Sequence, residues 1–203
     1  MIDSLEQAAE RPVSRETFER LRAYVERLKT ESTRQNLVSS LSLGHIWERH
    51  ILDSAQLVRF EPHAGASWVD VGSGAGLPGV VIACLVEGHV TLVEPRRLRV
   101  EFLRDTVSAL NLAAEVECGR IEGIAGRFDV ITGRAVAPLP KFIAMSHHLS
   151  TEKTVWALPK GRSAQSELAE AERAWQGMFH VEQSVTDADS QIVVGTGVRA
   201  KTK

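Results

Sequence analysis

Residues 68–79, Trp-Val-Asp-Val-Gly-Ser-Gly-Ala-Gly-Leu-Pro-Gly, constrain the fold more than any other stretch of this chain. Ser67 to Val71 reads as a buried strand. The chain then breaks into a loop with glycines at 72, 74 and 76, and restarts as an apolar helix from Val80 to Val86. Glycine lets the backbone turn sharply there and lets a ligand approach without meeting a Cβ. Pro78 suits the first turn of the helix, where its fixed φ and missing N–H cost nothing. Strand, glycine loop and helix in this order form a nucleotide cradle at the carboxyl end of a parallel sheet.

The residues around the glycines select the nucleotide. Dinucleotide-binding folds use G-x-G-x-x-G and rest a pyrophosphate on the helix N-terminus. Here Gly72, Gly74 and Gly76 alternate, and Asp70 stands two residues before the first of them. A carboxylate beside the loop repels a pyrophosphate but suits a ligand carrying an ammonium and a sulfonium. The spacing resembles motif I of the class I S-adenosylmethionine methyltransferases. A second acid, Glu94, closes the next apolar run, His89 to Val93. It lies about 20 residues past the first glycine, where a carboxylate takes ribose hydroxyls in such folds.

With 203 residues the chain can bury a full core. No apolar run approaches the roughly 20 residues that cross a bilayer, and Met1 to Glu6 does not read as a signal peptide. Cys84 and Cys118 make no metal or disulfide pattern, both in apolar surroundings, so a reducing cytoplasm is the expected compartment. The net charge of −2 carries no bulk sign of nucleic-acid binding, so any RNA-binding surface has to be local.

Along the chain, residues 1–13 read as frayed. Ser14 caps a helix running to about Thr30, with Phe18, Leu21, Val25 and Leu28 as its apolar stripe. Arg11 to Arg34 holds seven basic and four acidic residues, a pattern that suits a solvated face. A second helix is predicted from Gly44 to Val58, with Ile46, Trp47, Ile51 and Leu57 inward and Arg49 paired to Asp53. His50 on that helix reads as a satisfied structural histidine or as part of a site. Residues 1–62 thus form a helical extension and residues 63–203 the core of a single globular unit.

From Ser67 onward strands and helices alternate, which predicts an α/β, Rossmann-like fold. Parallel strands are expected near 67–71, 89–93, 114–118, 128–132 and 154–158. A helix follows Pro95 and ends at Asn111, and another runs from Ala164 to Trp175. Two alternating runs, Phe179–Val185 and Gln191–Val198, predict an antiparallel edge, set off by Gly177 and the Asp187-Ala188-Asp189 turn. Arg134 arrives directly after the fourth strand, at the carboxyl edge where ligands bind such sheets, and is assigned to the site. Ile121 and Glu122 follow the third strand, where a loop closes on an adenine in this architecture. Arg96 and Arg97 begin the helix after Pro95, and Lys160 and Arg162 mark another basic strand exit.

The chemistry narrows by elimination. Methylating a pyrimidine carbon requires a thiolate nucleophile, and neither cysteine is placed for it. The fourth-strand exit, Gly133-Arg134-Ala135-Val136-Ala137-Pro138, lacks the Asn/Asp-Pro-Pro-aromatic stretch used on exocyclic amines. No carboxylate cluster marks a metal-assisted O-methylation, and no metal site is expected. A nucleophile needing no deprotonation, such as guanine N7, stays open, because proximity and in-line alignment suffice for it. An arginine could orient that base through O6, although a fork occupying N7 would block the reaction.

Four segments together, Arg49-His50-Ile51-Leu52-Asp53-Ser54, Asp70 through Gly79, Gly133-Arg134-Ala135 and Leu158-Pro159-Lys160-Gly161, resemble the bacterial small-subunit (16S) rRNA guanine-N7 methyltransferase family (RsmG, also called GidB). The likeness runs from about Arg34 to Gly161. It implies a class I methyltransferase fold, mostly parallel with an antiparallel edge strand. It further implies transfer of a methyl from S-adenosylmethionine, with S-adenosylhomocysteine as product, to a guanosine in the decoding-region loop of 16S rRNA, free or within the small subunit. By position it implies cofactor contacts at Gly72, Leu77, Ile121, Glu122 and Arg134, with Glu94 at the ribose. Asp70 with Gly72, Gly74 and Gly76 then takes the cofactor's amino-acid end, and Arg134 sits between cofactor and base as the catalytic residue. Arg49, His50, Arg96, Arg97, Lys160 and Arg162 are the expected RNA contacts of a cytoplasmic monomer that needs no membrane. A small-molecule methyltransferase and a non-catalytic cofactor- or RNA-binding module remain as rival readings, with an NAD enzyme a distant third.

Overall fold

The computed structural model describes residues 1–202. Seven strands form one sheet in the order β3-β2-β1-β4-β5-β7-β6. Strands β1 (Trp68–Val71), β2 (Val90–Glu94), β3 (Ala114–Cys118), β4 (Val130–Thr132) and β5 (Val155–Lys160) are parallel. The long strands β6 (Trp175–Gln183) and β7 (Gln191–Ala200) pair antiparallel, and β7 pairs antiparallel with β5. Chain order reverses at β1, since β2 lies on one side of it and β4 on the other. The crevice beyond the carboxyl ends of β1 and β4 is therefore the ligand position in such a sheet.

The central strands are buried on both faces, as continuous apolar runs in parallel sheets must be. Alternate residues feed two cores. Trp68, Val90, Leu92, Val130 and Ala157 pack toward one, and Val69, Val71, Val93, Ile131 and Leu158 toward the other. The first core takes in helices α1 (Ile2–Ala9), α2 (Arg15–Ser32), α3 (Gly79–Leu85) and α4 (Arg97–Ala109). The second is covered by α5 (Leu139–Ser146) and α6 (Ala164–Ala171).

Helix α2 starts where its cap predicts, with the Ser14 hydroxyl accepting from the Thr17 N–H at 3.0 Å. Leu21, Val25 and Leu28 are buried along the expected stripe, joined by Tyr24. Asn111, with φ +49°, ends α4 in the left-handed conformation that asparagine tolerates.

Several expectations need correction. Residues 2–9 are not frayed: Leu5, Ala8 and Ala9 are buried, and the Arg11 guanidinium ties the segment to Glu61 and the Val58 carbonyl. The predicted helix 44–58 is broken. In its place residues 40–60 form a short helix at Ser40–Leu43, a π-type turn over Trp47–Leu52, one α turn at Asp53–Ala55 and a 3₁₀ turn at Gln56–Phe60. The wider π turn carries Asp53 away from Arg49, which is exposed, and Asp53 pairs with Arg134 instead. Helix α6 stops at Ala171, so Trp175 opens β6. Gly177 lies inside that strand at a bulge, where a Cβ would stand 2.9 Å from the Thr196 carbonyl. Cys118 is exposed at the end of edge strand β3, whereas Cys84 is buried and its thiol is pushed up to about 12 by burial.

The helical extension reaches the glycine loop directly. Tyr24 is fully buried, and its hydroxyl donates to the Ala75 carbonyl at 2.8 Å, bracing the loop from behind. Burial drives its phenol well above the usual range, so it stays a donor. A Tyr24→Phe protein keeps the ring but orphans the Ala75 acceptor, and should lose about 1–2 kcal/mol. Urea unfolding checks this, with the midpoint falling and the slope unchanged.

Candidate functional site

The loop after β1 hangs on backbone bonds that only a small-residue sequence permits. Gly72 has φ +70°, and a Cβ on it would stand 2.9 Å from a Val136 methyl, so a side chain there would be strained and crowded at once. The Ser73 N–H donates to the Val93 carbonyl at 2.9 Å, and the Gly74 N–H to Glu94 Oε2 at 2.9 Å. Glu94 Oε1 accepts from the Arg96 N–H at 2.9 Å. The end of β2 thus fixes both the loop and its own carboxylate at the crevice.

Asp70 lies beneath this loop. It is 0% exposed, and its Oδ2 accepts from the Gly79 N–H at 3.0 Å, while Oδ1 is buried without a partner. A Cβ on Gly79 would come within 2.5 Å of that Oδ2, so the carboxylate and the glycine require each other. The contact holds the start of α3 against β1. Asp70 does not line the crevice; it acts on the loop that does. Burial pushes its pKa up to about 6, opposed by the Gly79 N–H and by the Arg134 charge.

Two cavities open at the carboxyl end of the sheet. One, of about 440 Å³, is lined by Gly72, Glu94, Arg96, Ile121 and Glu122, among others. Ile121 is buried in a 3₁₀ turn over Ile121–Gly123, and Glu122 is exposed at its mouth. Gly74 is partly exposed, whereas Gly76 and Leu77 are buried within the loop. The other cavity, of about 420 Å³, is lined by Asp53, Arg134, Lys160, Glu167 and residues of β7 and the turn before it. Ala135, Val136 and Ala137 line both, so the β4 exit is the wall they share. Ala135 holds φ +56°, a left-handed conformation that costs an alanine about 1–2 kcal/mol.

That wall is tied down on each side. Arg134 Nη1 meets Asp53 Oδ2 at 3.2 Å, and Asp53 Oδ1 accepts from Gln56 Nε2 at 2.9 Å and Thr186 Oγ1 at 3.1 Å. Gln56 in turn accepts from the Val185 N–H at 2.9 Å, so the β6–β7 turn closes onto the helical extension. Lys160 donates to the Ala137 carbonyl at 2.9 Å and pairs with Glu167 at 2.9 Å. Both ring nitrogens of His50 are buried without partners, so it is not the satisfied histidine of the structural reading. Burial and the neighbouring Arg134 and Arg49 lower its pKa to about 4, which leaves it neutral at pH 7.

Of the basic residues singled out from sequence, Arg49, Arg96, Arg97 and Arg162 are exposed, and Arg162 pairs with Asp189. Lys160 is engaged inside the second cavity rather than free at its rim. Sequence reasoning missed Tyr24, Gln56 and Thr186, and it read Asp53 as a helix ion pair. Local spacing did not point to these roles, since each of these residues also bonds a segment at least 51 residues away. Among the described residues, no group of three or more His, Cys, Asp or Glu could hold a metal ion.

The folded pKa of Asp70 lies above its unfolded value, so the native state binds more protons between about pH 4 and pH 6. Its contribution to stability therefore falls as pH rises through that window. An Asp70→Asn protein lacks this titration. The difference in unfolding free energy, wild type minus variant, should decline from pH 4 to pH 7 by roughly 2–3 kcal/mol. Denaturant melts across that range check it, and a flat difference contradicts it.

The family model described as "GidB: rRNA small subunit methyltransferase G" matches residues 17–193. The chain is 51% identical to a ribosomal RNA small subunit methyltransferase G of Erythrobacter litoralis, over 91% of this chain and 90% of the relative. It is 43% identical to the protein of the same name from Zymomonas mobilis, over 93% and 90%. Among solved structures, a SAM-dependent methyltransferase from Aquifex aeolicus superposes with TM-score 0.61 at 16% identity, covering 75% of this chain and 92% of that one. A variant of MtNAS in complex with S-adenosylmethionine gives 0.59 at 17% identity, covering 87% and 75%. These structural likenesses establish a class I methyltransferase fold, which the order and direction of the seven strands share. On the family match and the relatives, the chain belongs to the GidB, or rRNA small subunit methyltransferase G, family.

Proposed function

We propose that this chain transfers a methyl group from S-adenosylmethionine to N7 of a guanosine in 16S rRNA. The observation that carries the division of labour is the shared wall: two cavities, of about 420 and 440 Å³, meet across Ala135–Ala137 at the switch point of the sheet.

The first cavity fits the cofactor. Gly72 and Gly74 offer a wall without side chains, and Glu94 presents an oriented carboxylate for ribose hydroxyls. Ile121 supplies an apolar face for adenine and Glu122 a polar rim. S-adenosylmethionine brings a methyl already activated on a sulfonium. Asp70 keeps the loop in shape from below and adds negative potential under a cationic ligand. The second cavity takes the target base, and Arg134 stands at the junction. Guanine N7 attacks with a lone pair that carries no proton, so the chain needs no general base, only alignment along the breaking sulfur–carbon bond. The positive charge passes to the methylated base as the sulfur becomes neutral. His50, neutral at pH 7, adds no competing cation beside it.

Arg49, Arg96, Arg97 and Arg162 lie exposed around the outer surface as candidate phosphate contacts. No described helix is long and apolar enough to cross a membrane, and a cytoplasmic setting suits an rRNA substrate.

Purified protein, labelled S-adenosylmethionine and small-subunit particles lacking the modification should yield label in 7-methylguanosine at one site of the 16S rRNA. Binding of the particle should weaken steeply with salt as phosphate contacts release counterions. Arg134→Ala should bind cofactor normally and lose at least about tenfold in turnover, the scale of one well-placed polar contact. Label in no rRNA nucleoside, together with salt-insensitive turnover of a small metabolite, would move the small-molecule reading ahead.

A further inference from the structure

We propose that Asp53 and Arg134 together read the target base as guanine, Arg134 donating to O6 and Asp53 accepting from N1–H. This rests on placing the base in the second cavity. Both side chains line that cavity, and their facing atoms stand 3.2 Å apart. They offer a cationic donor and an anionic acceptor side by side. Guanine presents the complementary order on one edge, O6 as acceptor next to N1–H as donor. Adenine inverts it, setting an amino group against the guanidinium and a lone pair against the carboxylate. Both contacts fail together for the wrong purine.

The pair is built to keep that order. Oδ1 of Asp53 is occupied from behind by Gln56 and Thr186, which leaves Oδ2 as the oxygen turned toward Arg134. Both side chains are partly buried, 18% exposed for Asp53 and 23% for Arg134, so their contacts compete weakly with water. The hydrogen bond from Arg134 to the carboxylate is made by Nη1. A guanidinium with five N–H donors can hold Asp53 and O6 at once. Because Asp53 draws the arginine toward the N1 side of O6, N7 on the other side stays clear for the methyl. Free aspartate on a helix surface would have no such effect. The π turn at Trp47–Leu52 brings this carboxylate to the strand exit.

The test uses particles reconstituted with 16S rRNA carrying guanosine, inosine or 1-methylguanosine at the target position. Inosine keeps O6 and N1–H and lacks only the 2-amino group, whereas 1-methylguanosine loses N1–H. Wild-type protein should methylate inosine within a few-fold of guanosine and 1-methylguanosine about 10- to 100-fold more slowly, the discrimination of one lost directed pair. Asp53→Asn should lose a similar factor on guanosine while its cofactor Kd is unchanged. Equal rates on guanosine and 1-methylguanosine would overturn the assignment, even if Asp53→Asn were slow, because Asp53 would then only position Arg134. Full guanosine activity in a folded Asp53→Asn protein would overturn it too. No label in guanosine particles by the wild type would remove the function on which the assignment rests, and is thereby distinguished from a failure of base reading alone.

Discussion

The ion pair between Arg134 and Asp53 joins three parts of the chain that are otherwise far apart. Arg134 leaves β4, Asp53 leaves the π turn of the helical extension, and Thr186 and Gln56 bring in the turn between β6 and β7. Removing either charge would leave the other half-buried and unpaired, which costs far more than a surface ion pair contributes. This knot anchors one end of the wall between the two cavities, and Lys160 anchors the other through the Ala137 carbonyl. Ala135, one residue later than Arg134, is held at positive φ.

The glycine loop is suspended from the opposite side by three different kinds of contact. Asp70 supports it from below through Gly79, Tyr24 braces it from behind, and Glu94 receives it at the cleft. Each is a backbone bond made by a buried polar side chain, so the loop is preorganised by groups that need not move when a ligand enters. The buried carboxylate of Asp70 also explains a tension in its position. It is costly to ionise there, yet its charge lies under a site suited to a cation.

The sheet was legible in sequence because parallel strands buried on both faces leave near-continuous apolar runs, as at Trp68 to Val71 and Val90 to Val93. Asp70 is the exception that marks the function. The loop was legible because its backbone demands glycine. In the helical extension α2 was legible from its Ser14 cap and apolar stripe, whereas the segments on either side of it were not, because their pattern is set by distant packing. Leu5, Ala8 and Ala9 are a short apolar set that becomes a helix face only against Ile51 and Leu57 in the shared core. The break in 44–58 follows from the same cause. A continuous α-helix would direct Asp53 along its own axis, whereas the tertiary pair with Arg134 takes it to the strand exit. Charge pairs read from i, i+4 spacing are worth a few tenths of a kcal/mol and yield readily to such a partner. Lys160 shows the same limit, since a lysine at a strand exit resembles a free phosphate contact until Glu167 is seen beside it.

The most direct measurement is a crystal structure with S-adenosylhomocysteine and guanosine 5′-monophosphate bound together. The account predicts the cofactor product against Gly72, Glu94 and Ile121, the purine beyond the Ala135–Ala137 wall, and its N7 turned toward the sulfur. A guanine ring stacked elsewhere on the surface, or the cofactor product lying against Asp53 and Lys160, would contradict it.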